Sequence, residues 1–285
     1  MKKRFEMISI VTILLLIWAS LAGVLSIDFS HSYDAVNQYG ETVRMYGYGI
    51  YAHDTYFKAP ISIGTDISIL IVVIPLFVWS YIRSMKNADT PSRLKLVSVY
   101  AVSLYYAANI AFGITYNTLH LVYIALFAFS LFGMLYHITK LDVTALGFNA
   151  AKGVKIFLVL TGVALIVAWL PDIIPTVLTG NPLTLIGVYT TEVTYVLDMG
   201  IIGPLCFICL YLLNKQSGLG TLSLAVILKL CIIVGTMIIF QTACQIASGI
   251  DIELPVLITK ASSFVVLGAF AYYFNRKLYK KLVLT

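Results

Sequence analysis

The sequence predicts an all-α fold, a polytopic membrane protein of eight transmembrane helices, on three observations. The 285-residue chain is 60% hydrophobic and 11% charged, with a mean hydropathy of +0.94, whereas soluble domains carry about 25% charged residues. Its apolar residues fall in runs of about twenty, the length needed to cross a bilayer. Its basic residues gather on alternate connections between those runs. These features exclude a soluble globular domain, a disordered chain and a disulfide scaffold, the last because only 4 cysteines occur.

The spans are expected near 6–27, 61–82, 95–117, 119–138, 154–171, 191–213, 222–247 and 255–275, all within a single integral membrane domain, 1–285. The first could pass for a signal peptide, but Phe5–Ile27 is long for such a core and no clean A-x-A site precedes Asp28, so it is read as uncleaved. Lys2, Lys3 and Arg4 precede that span. Arg83, Lys86, Arg93 and Lys95 flank the second connection, Lys140, Lys152 and Lys155 the fourth, and Lys215 the sixth. Arg276, Lys277, Lys280 and Lys281 close the chain, which leaves Arg44 and Lys58 among the acids of the opposite connections. By the positive-inside rule both termini are cytoplasmic and the membrane is the cell membrane. The formal net charge of +6 then reflects anionic inner-leaflet lipids, and no nucleic-acid partner is expected.

Two outer segments exceed simple turns. Residues 28–60 are rich in tyrosine (Tyr33, Tyr39, Tyr46, Tyr48, Tyr51 and Tyr56), and the Val43, Met45 alternation with Gly47 and Gly49 suits a small hairpin at the membrane mouth. Residues 171–190 hold Pro171, Pro175 and Pro182 yet stay apolar, which reads as a short interfacial helix or a re-entrant piece. The second and sixth spans echo each other at Ile74-Pro75-Leu76-Phe77 and Gly203-Pro204-Leu205-Cys206, and the fourth and eighth at Phe129–Gly133 and Phe264–Gly268. The echo fits a parallel 4+4 repeat.

Ionisable groups inside spans are costly and mark function by default. At 1.5 Å per residue Asp66 and Lys260 lie about 8 Å below the outer boundary and Asp198 about 12 Å. Asn109 reaches that depth from the third span, Gln241 and Gln245 from the seventh. Helical spacing puts Thr191, Tyr195 and Asp198 on one stripe with Glu192 beside it, and Tyr105, Asn109 and Tyr116 on another. Five spans thus bring polar groups to the outer half. The expected substrate or ion site is Asp66, Asn109, Tyr116, Glu192, Tyr195, Asp198, Gln241 and Lys260, with Asp54, Lys58 and Asp172 at the outer mouth. A carboxylate–ammonium pair between Asp198 and Lys260 is expected if both face one cavity, with Asp66 and Glu192 as rival partners.

Other chemistry is not indicated. Cys206 and Cys209 form a C-x-x-C inside a span, where apolar burial makes thiols inert. His31, His53, His120 and His137 lack metal-ligand spacing, and no P-loop, G-x-S-x-G or dinucleotide fingerprint occurs, so neither cofactor nor metal is expected. Lys260 is a lone lysine with Val256 one turn before it, against a retinal site.

The run Tyr51-Ala52-His53-Asp54-Thr55-Tyr56-Phe57-Lys58-Ala59 with Gly64-Thr65-Asp66 resembles text found in a family of uncharacterised bacterial polytopic membrane proteins. So do Tyr105–Asn109 with Ala111–Asn117, Trp169–Pro175, and Thr190–Asp198 through Pro204. The resemblance spans most of the chain and implies an eight-span fold, without chemistry. Three readings of function remain. A small-solute or ion transporter, proton-coupled through its buried acids, comes first. A membrane enzyme working on a lipid or lipid-linked group at the outer leaflet comes second, with Asp198 or Glu192 as base and Lys260 on a phosphate. A sensor or assembly partner without catalysis, reading a ligand through 28–60, is third. The sequence is silent on oligomeric state.

Overall fold

The structure, a computed structural model, describes residues 6–87, 89–183, 185–251 and 262–284. Helix dominates because the apolar runs have no polar face to give to a sheet, and in lipid a helix satisfies its own backbone. Among the described residues seven helical stretches are long and apolar enough to cross a membrane. They are α1 (Met7–Val24), the rod from α2 (Lys58–Ser68) to α3 (Ile74–Asn87), α4 (Thr90–Phe112) and α5 (His120–Thr139). The others are α6 (Lys152–Val167) with α7 (Leu170–Thr179), the rod from α8 (Val193–Leu197) to α9 (Gly203–Asn214), and α10 (Gly218–Ala247). A further helix, α11 (Ser262–Leu284), overlaps the expected eighth span, whose first residues, 255–261, lie outside the described residues.

Both rods contain a wide turn where the two echoing prolines demand one. Pro75 and Pro204 have no N–H and crowd the carbonyl four residues back, so the chain opens into π-helical turns at Ile69–Val73 and Asp198–Ile202. The N–H of Ile74 reaches the carbonyl of Ile69, and that of Gly203 the carbonyl of Asp198. The second wide turn therefore begins at a carboxyl-bearing residue.

Helix α4 starts crisply because the Asp89 carboxylate accepts the Ser92 N–H at 2.7 Å, with Pro91 in the first turn. It stops at Phe112, short of the expected 117, because the Thr115 N–H is spent on the Asp54 carboxylate at 2.9 Å instead of a carbonyl one turn back. Packing joins α1 to α2, α3 and α5, and α4 to both α3 and α5. In the later half α6 and α10 pack on α9, and α11 packs on α10 and lightly on α6. Helix α10 joins the halves through α2 and α4. One apolar core centres on Leu16, Phe77, Tyr100 and Leu126, and a second on Leu158, Cys206, Leu228 and Leu278.

Two glycines permit approaches that a side chain would block. A Cβ on Gly64 would lie 2.5 Å from the Cα of Gln241, so this glycine sets how closely α2 meets α10. A Cβ on Gly23 would lie 1.6 Å from Oδ2 of Asp66. Small residues of this kind are how helices pack where lipid removes the hydrophobic driving force.

The expected hairpin is present. Strand β1 (Tyr33–Val36) pairs antiparallel with β2 (Thr42–Met45), Tyr33 opposite Met45 and Val36 opposite Thr42. Tyrosine hydroxyls dock the segment on the helix ends: Tyr46 donates to the Ser26 carbonyl at 2.8 Å, and Tyr56 lies 2.9 Å from the Phe29 carbonyl and 3.0 Å from that of Ser248. The 171–190 segment does contain a helix, α7, which has no buried residue and ends at Gly180 in the left-handed region, φ 72°.

Candidate functional site

At the hairpin end of the bundle a cavity of about 330 Å³ lies between α2, α4, α8 and α10, beside the α6–α7 junction. Its polar wall is built from residues that helical spacing had grouped. Asn109 projects from α4, Tyr195 and Asp198 from the α8 rod, and Gln241 from α10. Lys58, Asp172 and Glu192, read from the sequence as mouth or flank residues, also line it.

Asp198 is buried, with two neutral donors on its carboxyl group: the Tyr105 hydroxyl at 3.1 Å on Oδ1 and the Trp169 indole N–H at 3.2 Å on Oδ2. The Trp169 ring stacks on Tyr195 with centroids 4.6 Å apart, and the Tyr195 hydroxyl donates to Asp172 at 2.9 Å. Across the cavity the Gln241 amide donates to Thr65 at 2.8 Å, and the Asn109 amide to the Tyr105 carbonyl at 2.9 Å. The Thr194 hydroxyl lies 3.3 Å from the Asn109 carbonyl oxygen.

The ammonium of Lys58 meets Glu192 at 3.0 Å and lies 4.1 Å from the centroid of the Tyr189 ring. This pair bridges 134 positions and joins the start of α2 to the chain entering α8. Both side chains are mostly buried, so removing one partner leaves an uncompensated charge. Lys260, expected to pair with Asp198, lies outside the described residues.

Asp66 stands behind the wall, not in it. It is fully buried and accepts the Tyr51 hydroxyl at 2.5 Å and the Tyr106 hydroxyl at 2.6 Å. Tyr106 also lines the cavity, so its hydroxyl links the Asp66 carboxyl to a residue of the wall that holds Asp198. Tyr116 is a correction: it follows the end of α4, is 77% exposed and packs against His120, away from the cavity. Its expected place on the Asn109 stripe required a helix that the Thr115–Asp54 bond ends.

Asp54 is not at the mouth. It is buried between the hairpin segment and the chain after α4, and its Oδ1 accepts the Tyr189 hydroxyl at 2.8 Å as well as the Thr115 N–H. Its Oδ2 has no hydrogen-bond partner among the described residues. Burial pushes the carboxyl up to about 6, against the pull of the Thr115 and Tyr189 donors and nearby Lys58.

Sequence reasoning missed Trp169, Thr65, Thr194, Tyr51 and Tyr189. Trp169 carried a signal, an aromatic N–H donor two residues before Pro171, but a tryptophan at a span end also suits an interfacial belt. A second polar group lies at the opposite end. Glu6 accepts from Lys140 at 2.5 Å and lies 3.3 Å from Nε2 of buried His137, which is also 3.1 Å from Ser9. Cys206 and Cys209 are buried and unpaired, and no cluster of metal-binding side chains occurs among the described residues.

Fold and apolar helices together define the class: a multi-pass helical membrane protein. No protein-family model, curated protein or solved structure matches the chain.

Proposed function

We propose that this chain is a transporter of a small solute or ion, with its binding site in the cavity walled by Asp198, Asn109 and Gln241. The observation that carries the reading is that cavity: polar side chains from four separate helical stretches converge on one space at partial depth in an apolar bundle. A bundle held only by packing has no need to gather acids and amides there, since such groups are costly in lipid. Two carboxyl groups, Asp198 in the wall and Asp66 bonded to the wall residue Tyr106, supply the proton-binding groups for coupling.

The finer architecture in this reading is eight spans in a cell membrane, both termini cytoplasmic, the hairpin end outside and the two halves a parallel 4+4 repeat. It is supported by the asymmetry of basic residues between alternate connections. Support for the repeat comes from the matching neighbour patterns of the two halves and from the wide turn before a proline in each half's second span. Parallel repeats place sites at their interface, and the helices joining the halves, α2, α4 and α10, wall this cavity.

The test is flux in proteoliposomes across a panel of cations, anions and neutral solutes, with a pH-sensitive dye inside. Solute-dependent flux is expected. Asp198→Asn should slow it by about tenfold or more, because a charge-assisted contact to the solute is worth roughly 1.5–3 kcal/mol. Absence of flux for every solute would overturn the reading, and turnover of a lipid headgroup by the purified chain would replace it with the enzyme.

A further inference from the structure

We propose that the end of the bundle opposite the hairpin holds the phosphate headgroup of an anionic lipid, at a site formed by Arg83, Lys86, Lys95 and Lys229. The site lies apart from the cavity and is independent of what that cavity carries.

Elsewhere among the described residues each part-buried cation meets an acceptor. Lys58 has Glu192, Lys140 has Glu6, Lys155 the Asn214 carbonyl oxygen and Arg93 the Lys140 carbonyl. Lys229 breaks that rule. It is 9% exposed, about 16 Å along α10 from the start of that helix, and its ammonium has no acid and no hydrogen-bond acceptor among the described residues. The charge acting on it is that of Lys95, which has the same sign, and Arg83 acts on Lys95 in turn. The acid beside this group is Asp89, which is exposed and caps α4 through the Ser92 N–H. Glu6 is held by Lys140, and Asp142 by Thr144. A buried ammonium without a counter-ion is costly, and like charges beside it add to that cost. The anion that offsets it must therefore come from a ligand.

Geometry gives the ligand its shape. A crevice at the end of α3 is lined by Trp79, Ile82, Arg83, Lys86 and Asn87. The Trp79 ring ties it to α4, with Arg83 Cζ 5.4 Å and Lys95 Nζ 5.3 Å from its centroid. Lys95 also lies 4.7 Å from the centroid of Tyr279 on α11. Ring faces attract these cations but leave their N–H groups without an anionic acceptor. A guanidinium and three ammonium groups match the several acceptor oxygens of a phosphate. Below them on α3, Trp79 and Ile82 expose apolar surface where acyl chains run. A free phosphate would leave that surface without a role, and a zwitterionic headgroup would bring another cation into the group. Lys229, the deepest of the four, reaches the boundary by extending its apolar stem, and basic groups between helix ends are recurring seats of anionic headgroups.

The experiment is native mass spectrometry and thermal unfolding of the purified full chain in detergent, with dioleoylphosphatidylglycerol, dioleoylphosphatidylcholine or inorganic phosphate added. The glycerol lipid should be retained at a plateau of a single lipid per chain, at least about tenfold tighter than the choline lipid, and should raise the unfolding midpoint saturably. Lys229→Met and Lys95→Met should each weaken that retention by about fivefold or more. Lys152→Met, which removes an exposed charge from the same end, should change it by less than about twofold. Equal retention of the two lipids, or an equal loss in Lys152→Met, overturns the proposal. Stabilisation by inorganic phosphate equal to that by the glycerol lipid overturns it too, in favour of a free-anion site. If Lys229→Met does not fold, Lys95→Met and the native chain decide: a single-lipid plateau supports the site, and retention without a plateau overturns it as diffuse surface charge.

Discussion

Gly23→Ala should be among the most damaging single-methyl additions in this protein. The new Cβ would lie 1.6 Å from Oδ2 of Asp66 and 2.5 Å from its Cγ, so either α1 moves off α2 or the carboxyl group moves. If the carboxyl moves, the Tyr51 and Tyr106 hydroxyls lose their shared acceptor in a fully buried site. Overpacking costs roughly 1–3 kcal/mol and each stranded buried hydroxyl a further 1–3, so about 3 kcal/mol or more is expected. Thermal unfolding in detergent or nanodiscs measures it. The decisive comparison is a double-mutant cycle with Asp66→Ala, which removes the clashing atoms. In that background Gly23→Ala should cost less than about 1 kcal/mol, and simple additivity would show that the two residues do not oppose each other.

Asp54 should make the hairpin end weaken as pH rises. Its carboxyl stands at about 6 against an ordinary 3.8, because burial disfavours the ion and one oxygen has no hydrogen-bond partner among the described residues. An acid raised in this way holds its proton in the folded chain where the unfolded chain has already lost it. Its contribution to stability is therefore complete below about pH 4, falls between about pH 4 and 6, and is level above that. The total change is roughly 3 kcal/mol. The other acids of the segment, Asp28, Asp34 and Glu41, are common to the native chain and Asp54→Asn, so the difference between the two isolates this group. Hydrogen-exchange protection factors across residues 46–56, corrected for the intrinsic pH dependence of amide exchange, should rise on acidification in the native chain and change much less in Asp54→Asn, which keeps an acceptor for Thr115 and Tyr189. Identical pH profiles would show that Asp54 is not the group responsible.

Several features were legible because they depend only on local chain properties. Run length marked the spans, and the Val43–Met45 alternation marked the hairpin. Spacing along one helix placed Tyr195 and Asp198 together, and both line the cavity. Tyr116 failed by the same rule, because the stripe assumes an unbroken helix and α4 is ended by a bond from Thr115 to a residue 61 positions earlier. Depth along a helix was likewise not enough for Asp66. It fixes height but not azimuth, and Asp66 turns toward Gly23, Tyr51 and Tyr106 behind the cavity wall.

By itself, then, the sequence determined that this is an apolar multi-helix bundle and which residues inside it are polar. A helix in lipid satisfies its own backbone, so length and hydropathy suffice for that much. Only the tertiary structure decided the partners: Lys58 with Glu192, Asp54 with Thr115 and Tyr189, Asp198 with Tyr105 and Trp169. The reason is physical. A polar side chain in an apolar bundle must find some partner, but which one depends on how neighbouring helices are rotated and how closely they approach, and at Gly23 and Gly64 that is set by the absence of a single carbon atom.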